Sequence, residues 1–278
     1  MNQPADMEFQ LAFEKLFNKN QLIPRLRNEF NLPEIISILE EHEIPIKFGL
    51  DLLVQMSLHK RTKIIVLVGL LIGHFKDEEE PAQECVNMLK RAAEADLVDY
   101  SMFRNEFIVV YNITQDIQDE LDQYQFPLPC LVPPKLLKNN MDTGYHSFPV
   151  NTGSVLLKKG NHHDDDVCLD HLNKMNQTAM TINTEVARLI KNQWRNLDKP
   201  KEGEDQKKYQ ARVKAFEKYD KASHDVMQHV YMAGNIFYLT HKYDKRGRCY
   251  SQGYHVNTQG NPWNKAVVEF AHQEIANG

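Results

Sequence analysis

The chain has 278 residues, 42% of them hydrophobic and 26% charged, with a formal charge of -5. This is the balance of a folded chain long enough for two ordinary domains, and it provides no global basic field to advertise nucleic acid. The charge is uneven, however: from Lys199 to Arg248 there are 12 Lys/Arg against 7 Asp/Glu, a net of +5.

Residues 1–125 read as mostly helical. The N-terminal stretch Met1 to Asp6 lacks the basic and apolar regions of a signal peptide. Leu11, Phe13, Leu16 and Phe17 recur at helical spacing. Pro33 and Pro81 stand where a proline opens a helix. The longest apolar run, Ile64 to Ile72, is too short to cross a bilayer, which takes about 20 residues, and reads as a buried core helix. Leu97 to Tyr100 and Phe107 to Tyr111 predict a short hairpin. The four cysteines, Cys85, Cys130, Cys168 and Cys249, form no C-x-x-C pair and read as free thiols.

Phe126 to Lys135 carries four prolines and cannot be helix, because each ring removes a donor and restricts its predecessor. It opens an irregular Pro/Gly-rich connector over 126–164, continued by Gly144, Pro149, Gly153 and Gly160. Within it, His162-His163-Asp164-Asp165-Asp166 reads as an acidic helix N-terminus rather than a metal site, since consecutive residues cannot all aim at one ion. From Asp165, apolar residues from Leu169 to Trp194 predict one long helix. Pro200 and Gly203 break it, and a second helix is expected from Gln206 to about Asn235. The two would form a helical hairpin over 165–240. The whole is mainly α (α+β), with a final segment over 241–278.

On the second helix, Lys207, Lys214, Lys218 and Lys221 share one narrow sector, opposite Val213, Phe216, Tyr219, Val226, Met227, Val230 and Tyr231. Such a lysine row fits either a solvated face or one that tracks a phosphate backbone. The cluster Asp244-Lys245-Arg246-Gly247-Arg248 is sharper. Its two guanidiniums match phosphate oxygens, Gly247 lets the backbone turn or approach a ligand, and Asp244 can hold one guanidinium by accepting its hydrogen bonds. Tyr250 offers a stacking face.

Asp244 to Tyr250, followed by Asn257-x-Gln259-Gly260-Asn261, resembles the D-x-x-G-R block of the phage-type single-subunit RNA polymerases, the family of the T7 phage and mitochondrial enzymes. Cys130 to Lys135 is similar to that family's upstream proline-lysine segment, and Leu172 to Val186 to the helix leading into its thumb. The resemblance covers about residues 126–270. It implies that 165–240 is a thumb and 241–278 the start of a palm. It also implies that Arg246 and Arg248 meet backbone phosphates of the DNA template or RNA–DNA hybrid, with the lysine row alongside.

The family's two metal-binding aspartates lie downstream of the D-x-x-G-R block. His224-Asp225 imitates the family's catalytic pair but falls mid-helix. The resemblance therefore points to a split, heterodimeric DNA-directed RNA polymerase of an infected bacterium's cytoplasm, with no membrane partner. A larger catalytic subunit would bring Mg2+, the fingers and the site for ribonucleoside triphosphates, and this chain alone would be inactive. Trp263, Val267, Val268 and Phe270 are expected to face that subunit or to pack within the chain. A stand-alone nucleic-acid-binding or transcription accessory protein is the competing expectation.

Overall fold

The computed structural model describes residues 6–147, 154–157, 163, 165–194 and 197–272. The chain is about 50% helical with 11% strand, a mainly α or α+β composition. It divides into two compact units, Asn20–Leu121 and Met1–Lys19 with Asp122–Gly278. The expected helical region 1–125 thus contributes its first helix, α1 (Met7–Phe17), to the second of these units.

The Asn20–Leu121 unit begins within α2 (Lys19–Phe30) and continues through α3 (Pro33–Glu41) and α4 (Ile46–His59). β1 (Arg61–Lys63), α5 (Ile64–Leu71) and a 3-10 turn (Ile72–Phe75) follow, then α6 (Pro81–Glu94), β2 (Val98–Ser101) and β3 (Glu106–Val109). α7 (Gln115–Tyr124) runs across the unit boundary. Pro33 and Pro81 open their helices as expected, where a missing N–H costs nothing. β2 and β3 form the expected antiparallel hairpin, which β1 joins in the order β1-β3-β2. α3 and α4 pack so closely that a Cβ on Gly49 would lie 2.2 Å from Leu39 Cδ2. Only Leu67 and Leu71 of α5 are buried, so the expected core helix is buried along one face while Ile65 stands 75% exposed. Asp51, itself buried, accepts from both Arg27 and His74 and ties α2, α4 and the 3-10 turn together.

In the other unit α1 buries two polar side chains as well as Phe13 and Phe17. Gln10 Oε1 accepts from Leu131 N at 2.6 Å and Gln10 Nε2 donates to Glu14 at 2.8 Å. Glu14 accepts from the backbone of His146 and Ser147. Paired in this way, a buried carboxylate does not carry the cost of an orphaned charge. Gln10 fastens the proline-rich segment at Leu131, and Glu14 holds the chain beyond it at His146 and Ser147; the proline-rich segment is non-helical as expected.

The chain continues through α8 (Leu169–Asn176), β4 (Met180–Ile182), α9 (Thr184–Leu189) and α10 (Gln206–Met232). After these come β5 (His241–Tyr243), β6 (Cys249–Ser251), α11 (Pro262–Val267) and β7 (Val268–Phe270). The single long helix expected from Asp165 to Trp194 does not form, and with it the helical hairpin over 165–240 is lost. Met180-Thr181-Ile182 instead pairs antiparallel with β7, and Met180 also bridges to Phe237. Asn183 then restarts a helix by capping Val186 N at 2.9 Å. Apolar steps of three to five residues suit either conformation, and the strand partners lie too far along the chain for local pattern to register. Nor do Asp165 and Asp166 open a helix: α8 starts at Leu169, and Asp166 accepts from Asn140 N. His162, Asp164, Pro149, Gly153 and Gly160 fall outside the described residues.

α10 has 27 residues, a rod of roughly 40 Å, close to its expected span. It ends where Gly234 and Asn235 adopt positive φ. The Asn235 side chain then brackets Ile182, accepting from its N–H and donating to its carbonyl. Val226, Met227 and Val230 bury against Phe237, Leu239, Val256 and Trp263. Among the described residues no helix is long and apolar enough to cross a membrane.

Candidate nucleic-acid interface

β5 and β6 pair antiparallel with His241 opposite Ser251 and Tyr243 opposite Cys249, so Asp244 to Arg248 form the tip of a hairpin. Asp244 N donates to Arg248 O at 2.9 Å and Gly247 N to Asp244 O at 3.0 Å. Gly247 has φ +78, and a Cβ there would meet nothing within 4 Å. Glycine is therefore required for the left-handed backbone and not for want of space.

The Asp244 carboxylate organises this tip. Oδ1 accepts from the backbone N–H of Arg246 (2.9 Å) and Arg248 (3.0 Å). Oδ2 takes Arg248 Nε at 2.9 Å and its terminal nitrogen at 2.8 Å, with Arg246 and Tyr250 OH each at 3.4 Å. The Arg248 guanidinium lies 5.6 Å from the Tyr250 ring centroid, within cation–π range. Partial desolvation works against the charged Asp244 carboxyl. Hydrogen bonds from Arg248 outweigh it and hold Asp244 below the usual carboxylate range. The bond to Asp244 raises Arg248 in turn. The Arg246 and Arg248 side chains remain 65% and 54% exposed. The hairpin therefore presents two permanently charged forks, one of them pre-oriented, with unused donors toward solvent.

Beneath the hairpin lies a layer of amide side chains whose roles were not legible in the sequence. Gln259 acts as an extra rung beside β6, accepting from Ser251 N and donating to Cys249 O, both at 3.0 Å. Asn257 accepts from Ser251 Oγ and Gln259 N. Asn264, fully buried, accepts from Asn257 N and donates to Tyr219 OH of α10 at 2.7 Å. Asn261 caps α11 and donates to Asn192, which donates in turn to Asp220 of α10. The Asn257-x-Gln259-Gly260-Asn261 stretch is thus scaffold. The signal available in the sequence was its density of amides just after a strand, residues that can satisfy backbone groups where no third strand does. Two histidines complete the support. Burial pushes His241 and His255 each down to about 4, so both are neutral near pH 7.

The structure thus gathers Asp244, Arg246, Gly247, Arg248 and Tyr250 at one tip. Lys207, Lys214, Lys218 and Lys221 all lie exposed on α10. Lys218 pairs with the buried Asp122 at 2.6 Å, which spends one cation on an intrachain contact. The amide layer meets α10 at Tyr219, on the side of the helix opposite this lysine row.

The interface quartet is divided. Trp263, Val267 and Val268 are buried in this unit's own core, Val267 completely. Only Phe270, 64% exposed, is available to another chain. Short apolar runs beside a strand are consumed by the nearest core, and β7 finds its partner in β4. His224 and Asp225 sit inside α10 as expected, His224 beside Asp220 and Asp225 accepting from Gln123. Among the described residues no group of three His, Cys, Asp or Glu side chains converges to hold a metal ion. All four cysteines are free thiols. No protein-family model and no curated protein matches this chain.

Proposed function

We propose that this chain is the smaller subunit of a split, heterodimeric DNA-directed RNA polymerase of the phage type, as in the RNA polymerase II of N4-like bacteriophages, working in the cytoplasm of an infected bacterium. The observation that carries this reading is the Asp244-anchored hairpin. A carboxylate is spent on fixing the Arg248 fork and the backbone of the tip, while the outward donors of both arginines stay free. In this reading Arg246 and Arg248 take backbone phosphates of the template or of the RNA–DNA hybrid. Tyr250 flanks them, and α10, although its helical-hairpin partner does not form, offers Lys207 and Lys214 on its exposed face as a second, separate contact for phosphates. The larger subunit supplies the two aspartates that bind Mg2+, the fingers and the ribonucleoside triphosphate site.

Lys218 is discounted, since its ammonium already has a buried partner. The test is reconstitution. The chain and the protein encoded by the neighbouring reading frame are purified separately and together, then assayed for primer extension on a DNA template with Mg2+. RNA synthesis is expected only from the pair. Synthesis rigorously traced to this chain alone, or an intact pair whose Arg248→Ala variant elongates normally, refutes the reading.

A further inference from the structure

We propose that Gln259 is a positioning residue for the nucleic-acid contact: it holds Tyr250, and through Tyr250 the Arg248 fork, in the geometry that meets backbone phosphates; this rests on the phosphate-gripping role given to the hairpin tip. Backbone groups alternate in direction along a strand. Asp244 N donates to Arg248 O and Gln252 N to Thr240 O. The backbone groups of Arg248, Tyr250 and Gln252 therefore face β5, and those of Cys249 and Ser251 face away from it. Among the described residues no third strand of this sheet covers that outer edge of β6. Gln259 takes its place with one side chain. Its Oε1 accepts from Ser251 N and its Nε2 donates to Cys249 O, both at 3.0 Å. Cys249 O belongs to the peptide group before Tyr250, and Ser251 N to the peptide group after it. One amide thus pins both of the planes whose relative rotation defines the Tyr250 backbone.

From Tyr250 the constraint passes to the charged tip. The Arg248 guanidinium lies 5.6 Å from the Tyr250 ring centroid, and the Tyr250 hydroxyl donates to Asp244 Oδ2 at 3.4 Å. Gln259 is itself preset. Asn257 Oδ1 accepts from Gln259 N and from Ser251 Oγ, both at 2.7 Å, and Asn257 Nδ2 donates to Gly253 O at 2.5 Å. The loop after β6 is thereby folded back so that its glutamine meets the strand edge.

Stability alone does not account for this clamp. Gln259 is exposed and stands at an open edge, so water can reach both backbone groups once the amide is gone and take up most of their hydrogen bonding. Water does not supply a fixed direction for Tyr250. A side chain held in its bound geometry loses less freedom on binding than a mobile one, so the clamp acts on affinity more than on folding.

The experiment uses the full chain, alone and assembled with the companion subunit, and a fluorescein-labelled RNA–DNA hybrid. Gln259→Met keeps the side-chain length and removes both hydrogen bonds, and Gln259→Ala repeats the measurement with no bulk to accommodate. Urea unfolding should change little in either variant. Hybrid affinity should fall roughly three- to tenfold, the worth of one net hydrogen bond. In a Tyr250→Ala background the same substitution should cost less than about twofold, because residues that act through one another are not additive. Fluorotyrosine in place of Tyr250 should give one sharp fluorine resonance in the otherwise wild-type chain and a shifted, broadened one with Gln259→Met. An equal loss of affinity with and without the Tyr250 ring, a loss that only tracks a fall in urea stability, or an unmoved fluorine resonance overturns the inference. If Arg248→Ala weakens binding while both Gln259 variants bind like the wild type, the positioning role alone fails. If neither the chain nor the assembled pair binds the hybrid, the phosphate-gripping reading fails and takes the positioning role with it.

Discussion

Acid should unfold the hairpin-bearing unit through two buried histidines. His241 and His255 are 4% and 2% exposed, and burial pushes each from the ordinary 6.5 to about 4. In the unfolded chain both imidazoles take up protons near pH 6.5, whereas in the folded chain both refuse them until about pH 4. The unfolded state thus binds more protons across this window, so stability is complete above pH 6.5 and falls as pH drops toward 4. A shift of this size corresponds to about 3 kcal/mol for each histidine. With both in play, the slope near pH 5 is about 2.7 kcal/mol per pH unit. Depressed carboxylates such as Glu204 and Asp244 lose their contribution only as pH falls through and below their ordinary values near 4, so they add to the loss only at the acid end of this window.

Trp194 and Trp263 are the chain's two tryptophans, and both belong to the same unit as the histidines. Urea unfolding followed by tryptophan emission at pH 7, 6, 5 and 4.5 therefore reports the relevant transition. The expected result is a midpoint that falls steeply below pH 6 and, in His255→Leu, with about half the slope. A flat midpoint between pH 7 and 5, or an unaltered slope in His255→Leu, would show that these side chains stay hydrated and would refute the reasoning.

Other outcomes follow from the same geometry. Arg248→Ala should leave the unfolding free energy from urea titration within about 0.5 kcal/mol, as for an exposed side chain, yet lower affinity for an RNA–DNA hybrid by roughly 10- to 100-fold, the worth of a charge-assisted contact; fluorescence anisotropy measures the loss. Gly253→Ala should be severely destabilising, because its Cβ would lie 1.8 Å from the Val256 carbonyl oxygen, and thermal melting or loss of soluble expression would report it. Gly247→Ala meets no steric obstacle and should cost about 1–2 kcal/mol from its positive φ alone, read by the same melt. Replacing Lys207 and Lys214 together by Gln should lower the slope of log affinity against log salt by up to about 2 if both meet phosphates, and by nothing if the row is only a solvated face.

Sequence alone determined the features whose causes are local. Asp244 reaches Arg246 and Arg248 two and four residues away, so the organised tip is written in one short stretch. Prolines placed α3 and α6, the β2–β3 hairpin followed from two short apolar segments, and the span of α10 followed from its periodicity. Tertiary structure decided the rest. β4 displaced a helix because its rungs come from β7, with Thr181 facing Glu269 some 88 positions on. Glu14 is buried because its donors at His146 and Ser147 lie 132 and 133 positions away. Trp263, Val267 and Val268 turned inward because α10 and β4 had already built a core for them. Periodicity records which residues avoid water, but it does not record which distant surface will shield them, since that depends on where the intervening chain brings its partners.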